Sequence, residues 1–156
     1  MRNFKEKIGD AKVSELVALL KERELPLIHE NATIEQAVNA MGRFEHTRLL
    51  YVVDDVGKLV GTISLGMLVR HVFSPSREPK IHPRLLIGMI TDETAKDLMQ
   101  KNLVVTTGEE EVLVVLKKMV RANVKEIPVL DNEKKVAADL TIIDLLRFIA
   151  NFTNHG

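Results

Sequence analysis

The 156-residue chain carries 22 Lys plus Arg against 22 Asp plus Glu, so it lacks the excess positive charge that a broad nucleic-acid surface requires. With no cysteine, it can form neither disulfides nor thiolate metal sites, and it has no cysteine nucleophile. Hydrophobic residues make up 46% but include no Trp and one Tyr, so the core must be aliphatic; no apolar run approaches the ~18 residues that span a bilayer.

Residues 1–12 read as a helical extension. Met1-Arg2-Asn3-Phe4-Lys5-Glu6 turns acidic without a signal-type apolar region, which points to a cytoplasmic protein. Val13-Ser14-Glu15-Leu16 opens a short helix. Leu25-Pro26-Leu27-Ile28 reads as a strand, and Ile34, Ala37, Val38 and Met41 fall at i, i+3, i+4 and i+7 of a helix. Leu50-Tyr51-Val52-Val53 is a buried-strand run, Asp54-Asp55-Val56-Gly57 a hairpin turn, 58–63 a third strand and 65–73 a closing helix. Three prolines in 74–83 forbid regular structure there, and 85–90 is apolar enough for a helical turn; 74–93 is the expected linker.

The same series then recurs. Ala95-Lys96-Asp97-Leu98-Met99 loosely repeats the helix at 13–16. Leu103-Val104-Val105-Thr106 and the helix positions Val112, Val115, Leu116 and Met119 follow at an offset of 78 residues. Ile127-Pro128-Val129-Leu130, the turn Asp131-Asn132-Glu133-Lys134, a strand at 136–140 and a helix at 142–152 follow with one residue of slippage. The expected fold is α+β: two βαββα repeats at 13–73 and 94–152, with a tail at 153–156. A three-stranded sheet with helices on one side leaves its other face open. Two repeats related by an approximate two-fold axis would cover each other.

Lys125-Glu126-Ile127-Pro128-Val129-Leu130-Asp131 resembles the apolar-Pro-Val-apolar-Asp strand of cystathionine-β-synthase-type (CBS) domains. Leu140-Thr141-Ile142-Ile143-Asp144-Leu145-Leu146 resembles the Thr-x-x-Asp-Leu helix start of that family, and Val60-Gly61-Thr62-Ile63-Ser64 its glycine approach. The resemblance spans nearly the whole chain. It implies a regulatory, non-enzymatic pair of repeats with an adenosine-type ligand (AMP, ADP, ATP or S-adenosylmethionine) in the cleft between them. There are two departures. Met67 stands where the family has an aspartate, and Ala137-Ala138-Asp139 replaces its second glycine approach.

Taken as bare residues, Thr141 and Asp144 form a helix-capping pair. The resemblance adds a second role, because a carboxylate can accept both hydroxyls of a ribose diol. Arg48 and Lys125 occupy equivalent places before paired strands. They read either as solvated cations or, by the resemblance, as a phosphate clamp. Pro26, which has no N–H to donate, Leu49 and Asp139 complete the expected ligand-binding set, with Glu24 as a further lining candidate.

The five histidines show no metal-ligand spacing, and no metal is expected. No phosphate loop or nucleophile elbow occurs, so an enzyme ranks last among the functions considered. The alternative to ligand sensing is a dimerisation or protein-interaction module with an empty cleft. Leu65, Leu68, Val69 and Val72, and Leu145, Leu146, Ile149 and Phe152, form stripes wider than one internal contact needs. They predict a homodimer. The further expectations are a separate regulated protein partner, no nucleic acid and no membrane insertion.

Overall fold

The computed structural model describes residues 8–44, 48–73 and 93–154. Most of the expected extension and linker, including the helical turn at 85–90, lies outside them. The element order is α1 (Val13–Leu19), β1 (Leu27–His29), α2 (Ile34–Arg43), β2 (Leu49–Val53), β3 (Leu59–Ser64), α3 (Leu65–Val72), α4 (Ala95–Leu98), β4 (Thr106–Thr107), α5 (Val112–Ala122), β5 (Glu126–Leu130), β6 (Val136–Thr141) and α6 (Ile142–Asn154). The strands form two separate three-stranded sheets, β1-β2-β3 and β4-β5-β6. In each, the first pair is parallel and the second antiparallel. The parallel pair needs a helical crossover, which α2 and α5 supply.

The repeat persists in backbone detail. The antiparallel register slips between Val52 and Val53 in one sheet and between Val129 and Leu130 in the other. The turn that follows is held by one aspartate in each: Asp54 Oδ1 accepts from the Val56 and Lys58 N–H groups at 3.0 and 2.9 Å. Asp131 Oδ1 accepts from Glu133 and Lys135 at 2.8 and 3.0 Å. Both turns need a positive φ at their fourth position. The first uses Gly57 at φ 86°, the second Lys134 at φ 64°. A side chain in that region strains the backbone by roughly 1–2 kcal/mol. Lys134→Gly should therefore raise stability by about 0.5–1 kcal/mol after the greater chain entropy of unfolded glycine is subtracted. A urea melt with unchanged slope checks this.

The expected first strands differ from those observed. The apolar run at 25–28 pairs only from Leu27, with the Pro26 carbonyl accepting from the Tyr51 N–H at 2.8 Å. The run at 103–106 contributes only Thr106 and Thr107 to the ladder. The residue equivalent to Tyr51 is Pro128, which has no N–H to donate, so β4 loses the bond that begins β1. The missing donor is tolerated in the middle strand because the partner there is a short edge.

The chain divides into two compact units: Pro26–Leu103, and the segment up to Leu25 together with that from Val104 onward. Ile34, Ala37, Leu50, Val52, Ile63, Leu68 and Val72 form the first core, and Ala95 of α4 joins it. Val112, Val115, Met119, Ile127, Leu140 and Leu145 form the other, joined by Val13 and Leu16 of α1. Each short helix thus packs with the repeat it does not precede. The docking is the same in both. The Val13 and Ser14 N–H groups donate to the Glu110 and Gly108 carbonyls at 2.9 and 3.0 Å, and Ala95 and Lys96 donate to Ala32 and Glu30 at 2.8 and 2.9 Å. These bonds satisfy helix N-terminal donors that have no partner within the helix. In the first unit, the chain beyond α4 lies so close to β3 that a Cβ at Gly61 would overlap the Met99 side chain. That close approach accounts for the glycine.

Candidate functional site

The start of α6 is built from the end of β6. The Thr141 N–H donates to Asp144 Oδ2 at 2.8 Å, and the Asp144 N–H donates to Thr141 Oγ1 at 3.2 Å. This reciprocal box satisfies the first-turn donors and places a carboxylate at the positive helix end. The Ile142 N–H donates to the Lys125 carbonyl at 2.9 Å, tying the helix start to the residue before β5. Asp144 is 8% exposed, and Oδ2 takes a second, charge-assisted bond from Arg23 Nη2 at 2.6 Å. The same guanidinium nitrogen donates to the Asp139 carbonyl. Among the described residues, no hydrogen bond reaches Asp144 Oδ1. A cavity of about 450 Å³ opens here, with Leu16, Leu20 and Phe148 as apolar wall and Lys21, Arg23, Asp144 and Arg147 as its charged residues.

Burial pushes the Asp144 carboxyl up, but the Thr141 backbone N–H and then the Arg23 guanidinium outweigh it and hold it below the usual carboxylate range. A depressed carboxylate stabilises the fold above its unfolded pKa and loses that contribution as pH falls through the folded one. Wild type should therefore lose more stability than Asp144→Asn on acidification below about pH 4, the ordinary carboxylate value. Asp97 is also held low, first by the Thr94 backbone N–H, so the comparison must be the difference between the two proteins across the pH series. Parallel curves would contradict this assignment.

The start of α3 is simpler. Ser64 Oγ accepts from the Met67 N–H at 3.1 Å, and Met67 offers no carboxylate in return. The Leu65 N–H donates to the Arg48 carbonyl at 2.8 Å, matching the Ile142–Lys125 bond. The neighbouring cavity, about 560 Å³, is apolar apart from Arg48, with Val38, Met41, Phe44, Leu68 and Val72 in its wall. The expected site residues fall into both units. Asp144, Thr141, Asp139 and Lys125 gather around the α6 start in one. In the other, Arg48 and Leu49 enter β2, with Leu49 opposite Ser64, and Pro26 bonds to Tyr51 through its carbonyl.

A family model of the CBS domain matches residues 10–74 and 95–151. The chain belongs to the CBS-domain family. Solved structures agree in fold. The CBS-pair protein CBSX2 from Arabidopsis thaliana superposes with a TM-score of 0.75 at 18% identity, over 94% of this chain and 99% of that one. A CBS domain-containing protein of Thermotoga maritima, tm0935, gives 0.69 at 24% identity, covering 92% and 96%. The CBS domain pair of protein MJ0100, solved with 5′-methylthioadenosine and S-adenosyl-L-methionine, gives 0.67 at 22% identity, covering 90% and 97%. CBSX2 has also been solved with AMP. At these identities the likeness establishes the fold alone.

Within this CBS pair, sequence reasoning missed Arg23. It sits in Lys21-Glu22-Arg23-Glu24, which reads as a solvated charge run, and its partner is 121 residues away. No short-range pattern marks such a pair. Among the described residues, no group of three His, Asp or Glu could hold a metal ion, and no helix is long and apolar enough to cross a membrane.

Proposed function

We propose that this CBS pair is a non-enzymatic regulatory module that senses an adenosine-type ligand (AMP, ADP, ATP or S-adenosylmethionine) at the α6 helix start, acts in the cytoplasm and passes its state to a separate protein. The reading is carried by one observation: a largely buried carboxylate, Asp144, is locked in a capping box beside a cavity of about 450 Å³. A fixed, ionised carboxylate with one oxygen that no described residue bonds suits a ribose diol. CBSX2 with AMP and MJ0100 with its two adenosyl compounds make that ligand class the first to test. Thr141 and Asp144 take the ribose, with Asp139 and Lys125 beside the same helix start; Pro26, Arg48 and Leu49 belong to the other unit, where Arg48 lines the cavity beside α3. Met67 leaves the first repeat without a ribose carboxylate, so one ligand binds per chain. Calorimetric titration with AMP, ATP and S-adenosylmethionine decides this. One site per chain is expected, and no binding of any of them would favour the alternative, an interaction module with an empty cleft.

We also propose a homodimer. The closing helices split their apolar residues between two faces. Leu68, Val72, Leu145 and Ile149 are buried, whereas Leu65, Val69, Phe73, Ile143, Leu146 and Phe152 are exposed. Exposed stripes of this kind suit a second copy of the same surface. Val69→Glu with Leu146→Glu should convert a dimer to a monomer in light scattering without loss of helix content. A wild-type protein that is monomeric at high micromolar concentration would refute the assembly.

A further inference from the structure

We propose that Arg23 is a specificity-determining residue that makes the Asp144 site select phosphorylated nucleosides over neutral or sulfonium ones. The inference rests on the proposed ligand class and narrows it.

Oδ2 of Asp144 receives both the Thr141 N–H and the Arg23 guanidinium. A carboxylate oxygen accepts about two such bonds, so Oδ2 is filled. A ribose diol that engages both carboxylate oxygens must displace one of these donors. The Thr141 N–H belongs to the helix cap and cannot leave without opening the first turn. Arg23 can leave. Its side chain is 42% exposed, and it lies on a stretch, 21–26, with neither helix nor strand.

The displaced guanidinium then needs an acceptor. A neutral nucleoside offers none of comparable strength, so it breaks a charge-assisted bond without replacing it. A phosphate offers oxygens that match the planar fork of the guanidinium, so the bond is exchanged. The cavity charge runs the same way. Lys21, Arg23 and Arg147 face it against Asp144, an excess of positive charge that suits an anion. S-adenosylmethionine carries one carboxylate, but its sulfonium and ammonium leave it net positive, so it gains least from that surface.

Arg23 also has a structural role. The Thr62 carbonyl in the first unit accepts from the Gln100 N–H at 2.8 Å, and the equivalent Asp139 carbonyl accepts from Arg23 instead. A purely structural Arg23 would alter the affinity for every ligand by the same factor, and that separates the two roles.

The experiment titrates wild type, Arg23→Gln and Arg23→Lys with adenosine and with AMP by calorimetry, at fixed pH and ionic strength, with thermal melts as folding controls. Wild type should prefer AMP. In Arg23→Gln, adenosine should tighten and AMP weaken, each by about tenfold, so that the preference collapses, while Arg23→Lys retains part of it. Adenosine binding that appears only in Arg23→Gln would support the same displacement. Equal change for both ligands, or none for either, overturns the inference while leaving the adenosine site standing. If neither ligand binds any of the three folded proteins, the functional proposal falls, and this inference with it.

Discussion

Asp144→Ala should abolish adenosine-type binding while the protein stays folded. The substitution removes the carboxylate that accepts the ribose diol, and among the described residues no other carboxylate lines the cavity to replace it. Loss of two charge-assisted hydrogen bonds weakens affinity on the order of a hundredfold or more. The structural cost is smaller. Thr141 Oγ1 still accepts from the residue-144 N–H, so half of the capping box survives. Arg23 loses its carboxylate partner but keeps the Asp139 carbonyl, and at 42% exposed it can be hydrated. The lost half-cap costs about 1 kcal/mol. A melt within a few degrees of wild type, together with a flat titration with AMP, is the expected pair of results. Full affinity in the variant would show that the ribose binds elsewhere. Asp144→Asn separates charge from shape, because its amide retains one acceptor without the charge.

The largest stability effect should come from α1. Leu16 is 1% exposed and packs among Val112, Val115, Met119, Ile127 and Leu140, none of which is near it in sequence. Leu16→Ala removes its buried methyl groups and leaves a void, at a cost of about 2–5 kcal/mol. The location of the damage is more diagnostic than its size. Native-state hydrogen exchange should show β5 and β6 losing protection before β2 and β3, although α1 directly precedes β1 along the chain. Protection lost first in β2 and β3 would mean that α1 packs with its sequence neighbours after all. Ala95 plays the reciprocal part for the first core, but a residue this small has little side chain to remove, so Leu16 gives the clearer measurement.

The features legible from sequence are those whose physics is local. The helical period of Ile34, Ala37, Val38 and Met41, the Asp-started turns and the Thr141–Asp144 box each depend on groups within about one or two turns of backbone. The helical period and the Asp-started turn occur in both halves of the chain, so the order of elements and the family resemblance followed from the sequence alone. Three decisive features did not. The exchange of α1 and α4 between the repeats leaves each helix with the same amphipathic pattern whichever core it enters. The brevity of β4 depends on Pro128 facing it across the sheet, so the apolar run at 103–105 overstates the strand. The pairing of Arg23 with Asp144 joins a charge in a polar stretch to a carboxylate far along the chain. Periodicity and capping are properties of neighbouring residues, whereas these three are properties of contacts that exist only once the chain has folded.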